Sequence, residues 1–164
     1  RQNGWSLVKV NFYTGVPDNK IDPLWHRFWT QKLQVMGSRG VRVFTRPLRY
    51  SSERVILPNG RESTALAGRE KGIDVRIALD VVRMARHDMF DVALIFSQDQ
   101  DLSEVAQEIR EISREHDRWI KIACAFPVSP VVGDQRGING TDWIRIDSKT
   151  YSACLDPLDY RAKK

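Results

Sequence analysis

Val92-Ala-Leu-Ile-Phe-Ser-Gln-Asp-Gln-Asp101 decides how this chain is read. Its first five residues form a continuous apolar run bounded by Asp91 and Ser97. That is the pattern of a strand covered on both faces, as in the middle of a parallel sheet. Two carboxylates, Asp99 and Asp101, follow at once and open a stretch in which Leu102, Val105, Ala106, Ile109 and Ile112 recur at helical spacing. Strand, acidic turn and helix therefore succeed one another within about twenty residues.

The same alternation continues on both sides. Downstream, Ile120 to Phe126 reads as another buried strand before Pro127, and Trp143 to Ile146 as a last strand after a glycine-containing loop. Upstream, residues 73 to 87 form a helix with a wide apolar arc that includes Val75, Ile77, Leu79, Val81, Val82 and Met84, so it is expected to be well buried. Residues 7 to 13 read as a strand. Asp22-Pro23 caps a helix carrying Trp25, Phe28, Trp29, Leu33 and Met36. The segment 41–48 is the next strand, closed near Pro47. Between residues 50 and 71 periodicity is lost except for Val55-Ile-Leu57 and a Pro58-Asn-Gly60 turn, so this is an insertion, either a short hairpin or an ordered loop. Gly68 to Gly72 is expected to be a mobile approach to the following helix. The order predicts right-handed βαβ units in an α/β fold with a doubly wound, largely parallel sheet.

The chain has 164 residues, which suits one domain over 1–164 with 148–164 as a C-terminal tail. Its 26 Lys and Arg exceed its 21 Asp and Glu, a formal +5. That balance is compatible with a nucleic-acid partner without demanding one. Cys124 and Cys154 form neither a disulfide framework nor a zinc pattern, so the reducing cytoplasm is the expected setting. No apolar run approaches the roughly 18 residues needed to span a bilayer, and residues 1 to 20 lack a signal-peptide core. No membrane role is expected, and homo-oligomerisation is not readable.

Ligands of open α/β sheets collect beyond the carboxyl ends of the strands, where Asp99 and Asp101 fall. The preceding helix adds Asp74 at its first turn and Asp80 further along, on one stripe with Arg76, Arg83 and His87. Each acid also has a structural explanation. Asp101 with Glu104 matches a capping box, Asp74 can serve the helix dipole, and Asp80 can pair with Arg76 or Arg83. Asp99 caps nothing obvious. Several carboxylates held together stay ionised only if a cation offsets their repulsion. Magnesium or manganese is the matching ion, and metal-assisted hydrolysis of a phosphodiester is the matching reaction. His26, His87 and His116 fall on predicted helices without a nucleophile elbow or P-loop, and read as structural.

Lys71-Gly-Ile-Asp74-Val-Arg-Ile-Ala-Leu-Asp80, Phe90-Asp-Val-Ala93 and Ser97-Gln-Asp99-Gln-Asp101 together resemble the NYN domain, in its LabA-like form, of the PIN-like nuclease superfamily. Asn11 to Gly15, Arg46-Pro-Leu48 and Thr141 to Asp147 extend the likeness over most of the chain. The resemblance implies a Rossmann-like PIN fold and a Mg2+- or Mn2+-dependent ribonuclease. Asp74, Asp99 and Asp101 would hold the ion and Asp80 would assist as a fourth catalytic acid. Lys71, Arg76 and Arg136 would contact RNA phosphates, with Arg69 and Arg83 as further candidates, although solvation or a salt bridge is the ordinary role of any one of them. Such domains open with an apolar strand ending in Asp-Gly-x-Asn, and Arg1 to Trp5 contain no such strand. The expectation is missing sequence rather than evolved loss.

Two rival functions stand beside the ribonuclease. One is a non-catalytic RNA-binding or protein-interaction module of the same fold. The other, a phospho-acceptor or phosphatase domain, needs an acid after the first strand and a positioned lysine, and neither is visible.

Overall fold

A computed structural model describes residues 4–131, 133 and 135–161. Residues 1–3 of the expected N-terminal gap, and Lys163 and Lys164 of the basic tail end, lie outside them. The chain is mixed α/β and divides into two compact units, one of residues 9–73 with the described part of 158–164, the other of 74–157 with the described part of 1–8.

In the first unit, β1 (Asn11–Val16) and β2 (Arg42–Pro47) pair in parallel, Asn11 opposite Arg42 and Val16 opposite Pro47. Helix α1 (Pro23–Ser38) connects them. Asp22 starts this helix by accepting the Trp25 amide at 3.1 Å, with Pro23 in the first turn where its missing N–H costs nothing. The apolar stripe of α1 faces two ways: Trp29 stacks on Phe12 with centroids 6.1 Å apart, and Phe28 meets Tyr160 of the tail edge-on at 5.8 Å. Strand β1 begins four residues later than the 7–13 expectation, because Leu7 and Val8 are exposed and Val10 joins only through its carbonyl, which accepts from Arg42.

The insertion is a long antiparallel hairpin, β3 (Arg49–Ile56) and β4 (Glu62–Arg69), rather than a loop with a short ribbon at its tip. Asn59 accepts the Arg61 amide at 3.1 Å and Gly60 takes a φ of 77°, so the Pro58-Asn-Gly60 signal does mark the turn. Both strands are mostly exposed, and they pair only with each other among the described residues.

The second unit holds a parallel sheet of order β5-β6-β7, made of β5 (Val92–Ile95), β6 (Lys121–Pro127) and β7 (Asp142–Ile146). Helix α2 (Ile73–Arg86) precedes it, and α3 (Ser103–Glu115) links β5 to β6. Val81 and Ala85 of α2, Val105, Ile109 and Ile112 of α3, and Ile122, Cys124 and Phe126 of β6 share one core. Each fully buried aliphatic side chain of this set contributes about 1.5–3 kcal/mol relative to exposure. Arg118 fastens the lead into β5: its guanidinium donates to the carbonyls of Ala85 and Phe90 and to the carboxylates of Asp88 and Asp91.

Two burial expectations are corrected here. Among the described residues β6, not β5, is the middle strand, and β5 leaves Leu94 40% and Phe96 72% exposed. The apolar arc of α2 is likewise only partly covered, with Val75 and Leu79 each 61% exposed. An apolar run reports what a strand can tolerate, not how many neighbours it has. The tail adds one element that periodicity did not announce, α4 (Ser148–Ala153), capped by Asp147 through the Thr150 amide at 2.7 Å. The parallel strands form two separate sheets among the described residues, β1–β2 and β5–β6–β7.

Candidate functional site at an acidic sheet edge

The turn after β5 is built from its own polar side chains. Ser97 Oγ accepts the Asp99 amide at 3.1 Å, and Asp99 Oδ1 accepts the Asp101 amide at 3.0 Å. Asp99 thereby caps a single 3-10 turn, Gln100–Leu102, that leads into α3. This reverses the expected roles. Asp99 is the capping residue, and α3 begins at Ser103 with no side-chain cap, so Asp101 lies in the preceding turn and caps nothing. The exposed Asp101 carboxylate has no partner among the described residues.

Gln98 and Gln100, which motif reading passed over, tie this turn to the loop before β7. Gln98 Nε2 donates to the Arg136 carbonyl at 3.0 Å, and Gln100 Nε2 donates to the Gly137 carbonyl at 3.0 Å. Gln100 also accepts the Asn139 amide at 3.2 Å. The loop can lie this close because Gly137 has no side chain; a Cβ there would collide with Cys124 Sγ and come within 2.7 Å of Phe126. Arg136 is exposed and without an ion pair among the described residues, and it is held beside the acidic turn through its backbone. The alternating Gln-Asp-Gln-Asp pattern was the available signal: every second side chain grips the neighbouring loop.

Asp80 has a different fate. It is 5% exposed, and Arg76 grips it with two contacts, Nε to Oδ2 at 3.0 Å and Nη2 to Oδ1 at 2.9 Å. Arg83 Nη2 adds a third at 3.3 Å. A buried carboxylate needs such compensation to stay charged, and both arginines are committed to it. Asp74 is exposed in the first turn of α2, where the helix dipole favours an acid. Lys71 is exposed in the approach to that helix. Among the described residues no three His, Cys, Asp or Glu side chains stand close enough to hold one metal ion. The structure thus brings Asp99, Asp101 and Arg136 into one neighbourhood and does not assemble Asp74, Asp99 and Asp101 into a donor set.

Cys124 is buried in β6, where its sulfur accepts the Ile138 amide at 3.2 Å, and Cys154 is exposed and free. His26 Nδ1 donates to the Pro17 carbonyl at 2.8 Å and so carries the proton, a structural use. No helix among the described residues is long and apolar enough to cross a membrane.

Comparison with known proteins gives few landmarks. No curated protein matches the chain. Among solved structures, a ribokinase from Giardia lamblia overlaps 76% of this chain and 36% of its own length, at 10% identity and a TM-score of 0.39. A family model described as the NYN domain matches residues 7–116, which is 110 of 164 residues and takes in β1 through α3 with the acidic turn. The chain belongs to the NYN domain family.

Proposed function

We propose that this domain acts on RNA as a nuclease, cutting phosphodiester bonds at the edge formed by Asp99, Asp101 and Arg136. NYN membership supports a nuclease-type, RNA-related function. The observation that carries the assignment to this edge is the Asp101 carboxylate, exposed beyond the end of a parallel strand and unpartnered among the described residues, on a turn to which Gln98 ties the backbone of the exposed Arg136. There a carboxylate can accept a proton or orient a water, and a guanidinium can balance a phosphate. The strands are read as parts of a PIN-like doubly wound plan, supported by the parallel sense of every pairing outside the hairpin. Two free cysteines fit a cytoplasmic setting.

Magnesium or manganese is the ion NYN nucleases generally use. The residues as placed do not fit a ready metal centre, since no three donors gather among the described residues, so no step through an ion follows from this geometry. The same observation, with Asp80 already spent on two arginines, favours one alternative: an RNA-binding domain without catalysis.

Labelled single-stranded RNA incubated with the chain and manganese separates the two. On the nuclease reading, EDTA abolishes cleavage and Asp101→Asn reduces its rate about 100-fold or more. Undiminished cleavage by the variant moves the chemistry elsewhere, and binding without cleavage selects the alternative.

A further inference from the structure

Several cations that sequence reading offered to RNA are already answered. Arg76 and Arg83 sit on Asp80, and Arg69 sits on Glu53. A different set is open. Residues 39–49 carry Arg39, Arg42, Arg46 and Arg49 with no Asp or Glu among them. Arg46, Arg49 and Lys71 have no ion pair among the described residues, and all three are exposed.

These three meet at one corner of the first unit, where the carboxyl ends of β1, β2 and β4 come together. Leu48 is the pin of that corner. A Cβ on Gly15 would strike one of its methyls, and a Cβ on Gly68 would stand 3.0 Å from the other. The end of β1 and the end of β4 thus close on the β2–β3 bend with only glycines between. Arg46 reaches from β2 to the backbone after β4, its Nη1 lying 2.8 Å from where a Cβ of Gly72 would be. That places it beside Lys71.

Acids at the corner are turned to other work. Glu70 accepts the Gly15 amide and the Thr14 hydroxyl, the latter at 3.1 Å. Arg69 stands directly opposite Arg49 in the hairpin register, an arrangement of like charges that weakens a ladder. It reaches instead to Glu53, which leaves Arg49 alone. The outcome is three uncompensated cations on three separate segments, β2, β3 and the connection after β4. The Arg46 guanidinium also lies over the Phe44 ring, 5.8 Å from its centroid, so its planar fork is held rather than loose.

We infer that this corner seats the sugar-phosphate backbone of single-stranded RNA, with Arg46, Arg49 and Lys71 each meeting a phosphate. A strand fits better than a lone phosphate because the cations are spread over three separate segments and so match a repeated charge. Guanidinium forks suit phosphate oxygens, and such contacts grip any sequence alike. The inference rests on the RNA-directed reading above but not on catalysis.

Anisotropy of a labelled oligouridylate with the full chain, in EDTA so that nothing is cut, tests it. Each phosphate contact contributes about 0.7 to the salt slope of single-strand binding. The R46A/R49A/K71A variant is expected to bind roughly tenfold or more weakly, with a slope shallower by about 2. R46K/R49K keeps most of the slope, and Arg114→Ala on α3 changes neither quantity. Arg49→Ala alone, at an exposed strand end, serves if the triple variant melts early, with a loss of about 0.7 in slope. An unchanged slope in a folded variant overturns the inference, as does absence of RNA binding by the unaltered chain. Uridine monophosphate competing as well as unlabelled oligomer overturns it too, in favour of a free-phosphate site. Failure to cleave RNA sinks the nuclease reading and leaves this corner standing, whereas cleavage with an unaltered slope does the reverse.

Discussion

Asp80 on α2 and Asp101 beyond β5 are chemically identical side chains that the fold treats in opposite ways. Asp80 is 5% exposed and carries three contacts from two arginines, whereas Asp101 is exposed with an unpartnered carboxylate among the described residues. A charge already answered stabilises; a charge left open is available to a ligand. Membership of an acidic stripe therefore says little about function until the nearby cations are placed. Here the arginines three and four residues away claim one acid, and no ion pair reaches the other among the described residues.

The contrast can be broken most forcefully at Asp80. Asp80→Ala leaves two arginines facing a buried gap and is expected to cost about 2–3 kcal/mol in urea unfolding, less than a fully buried pair because both arginines are partly exposed. Asp101→Asn is expected to stay within about 0.5 kcal/mol of the parent, so equal losses at the two positions would refute the division. Next comes Gly137→Ala, which forces a Cβ against Cys124 and Phe126. Overpacking there is expected to cost about 1–3 kcal/mol and to loosen the loop that holds Arg136, visible as weaker amide protection of residues 136–140. Asp99 sharpens the comparison on the exposed side. Asp99→Ala removes a cap and is expected to cost about 1 kcal/mol, while Asp99→Asn keeps the cap and changes stability by a few tenths. Identical melting of the two variants would show that the capping bond contributes nothing.

The smallest effect lies at Asp147. Its hydrogen bonds from Thr150 hold its carboxyl below the usual range. The folded value is thus under the unfolded one, so the stabilisation is complete above the unfolded pKa and disappears as pH falls through the folded pKa. A carbon-detected titration should place its midpoint below that of an ordinary aspartate, and an ordinary midpoint would remove the cap from the account.

Much of this was legible in the sequence. Apolar spacing and the Asp22-Pro23 start located α1 closely, and the run from Ile120 to Phe126 located β6, because helices and buried strands write their period locally. Partner number is not local. Val92 to Phe96 is as apolar as β6, yet nothing in the run reveals that it has one neighbour among the described residues instead of two. The hairpin was underread for a related reason: Ser51, Ser52, Glu53, Ser63 and Gly68 are poor strand formers alone, and cross-strand pairing supplies what propensity lacks. At the acidic turn, the capping roles of two aspartates were exchanged. A single 3-10 turn delays the start of α3, and that shift moves the cap from Asp101 to Asp99.

The hairpin of β3 and β4 has a kinetic meaning as well. A two-stranded ribbon with both faces largely open has little apolar burial of its own to resist fraying. Its amides should exchange with deuterium as one group, long before those of β6, and proteases should nick the chain first near Asn59-Gly60. Cut there, Arg46 and Arg49 would stay on one fragment and Lys71 on the other, so limited digestion would separate the cations of the corner while sparing the core around Phe126.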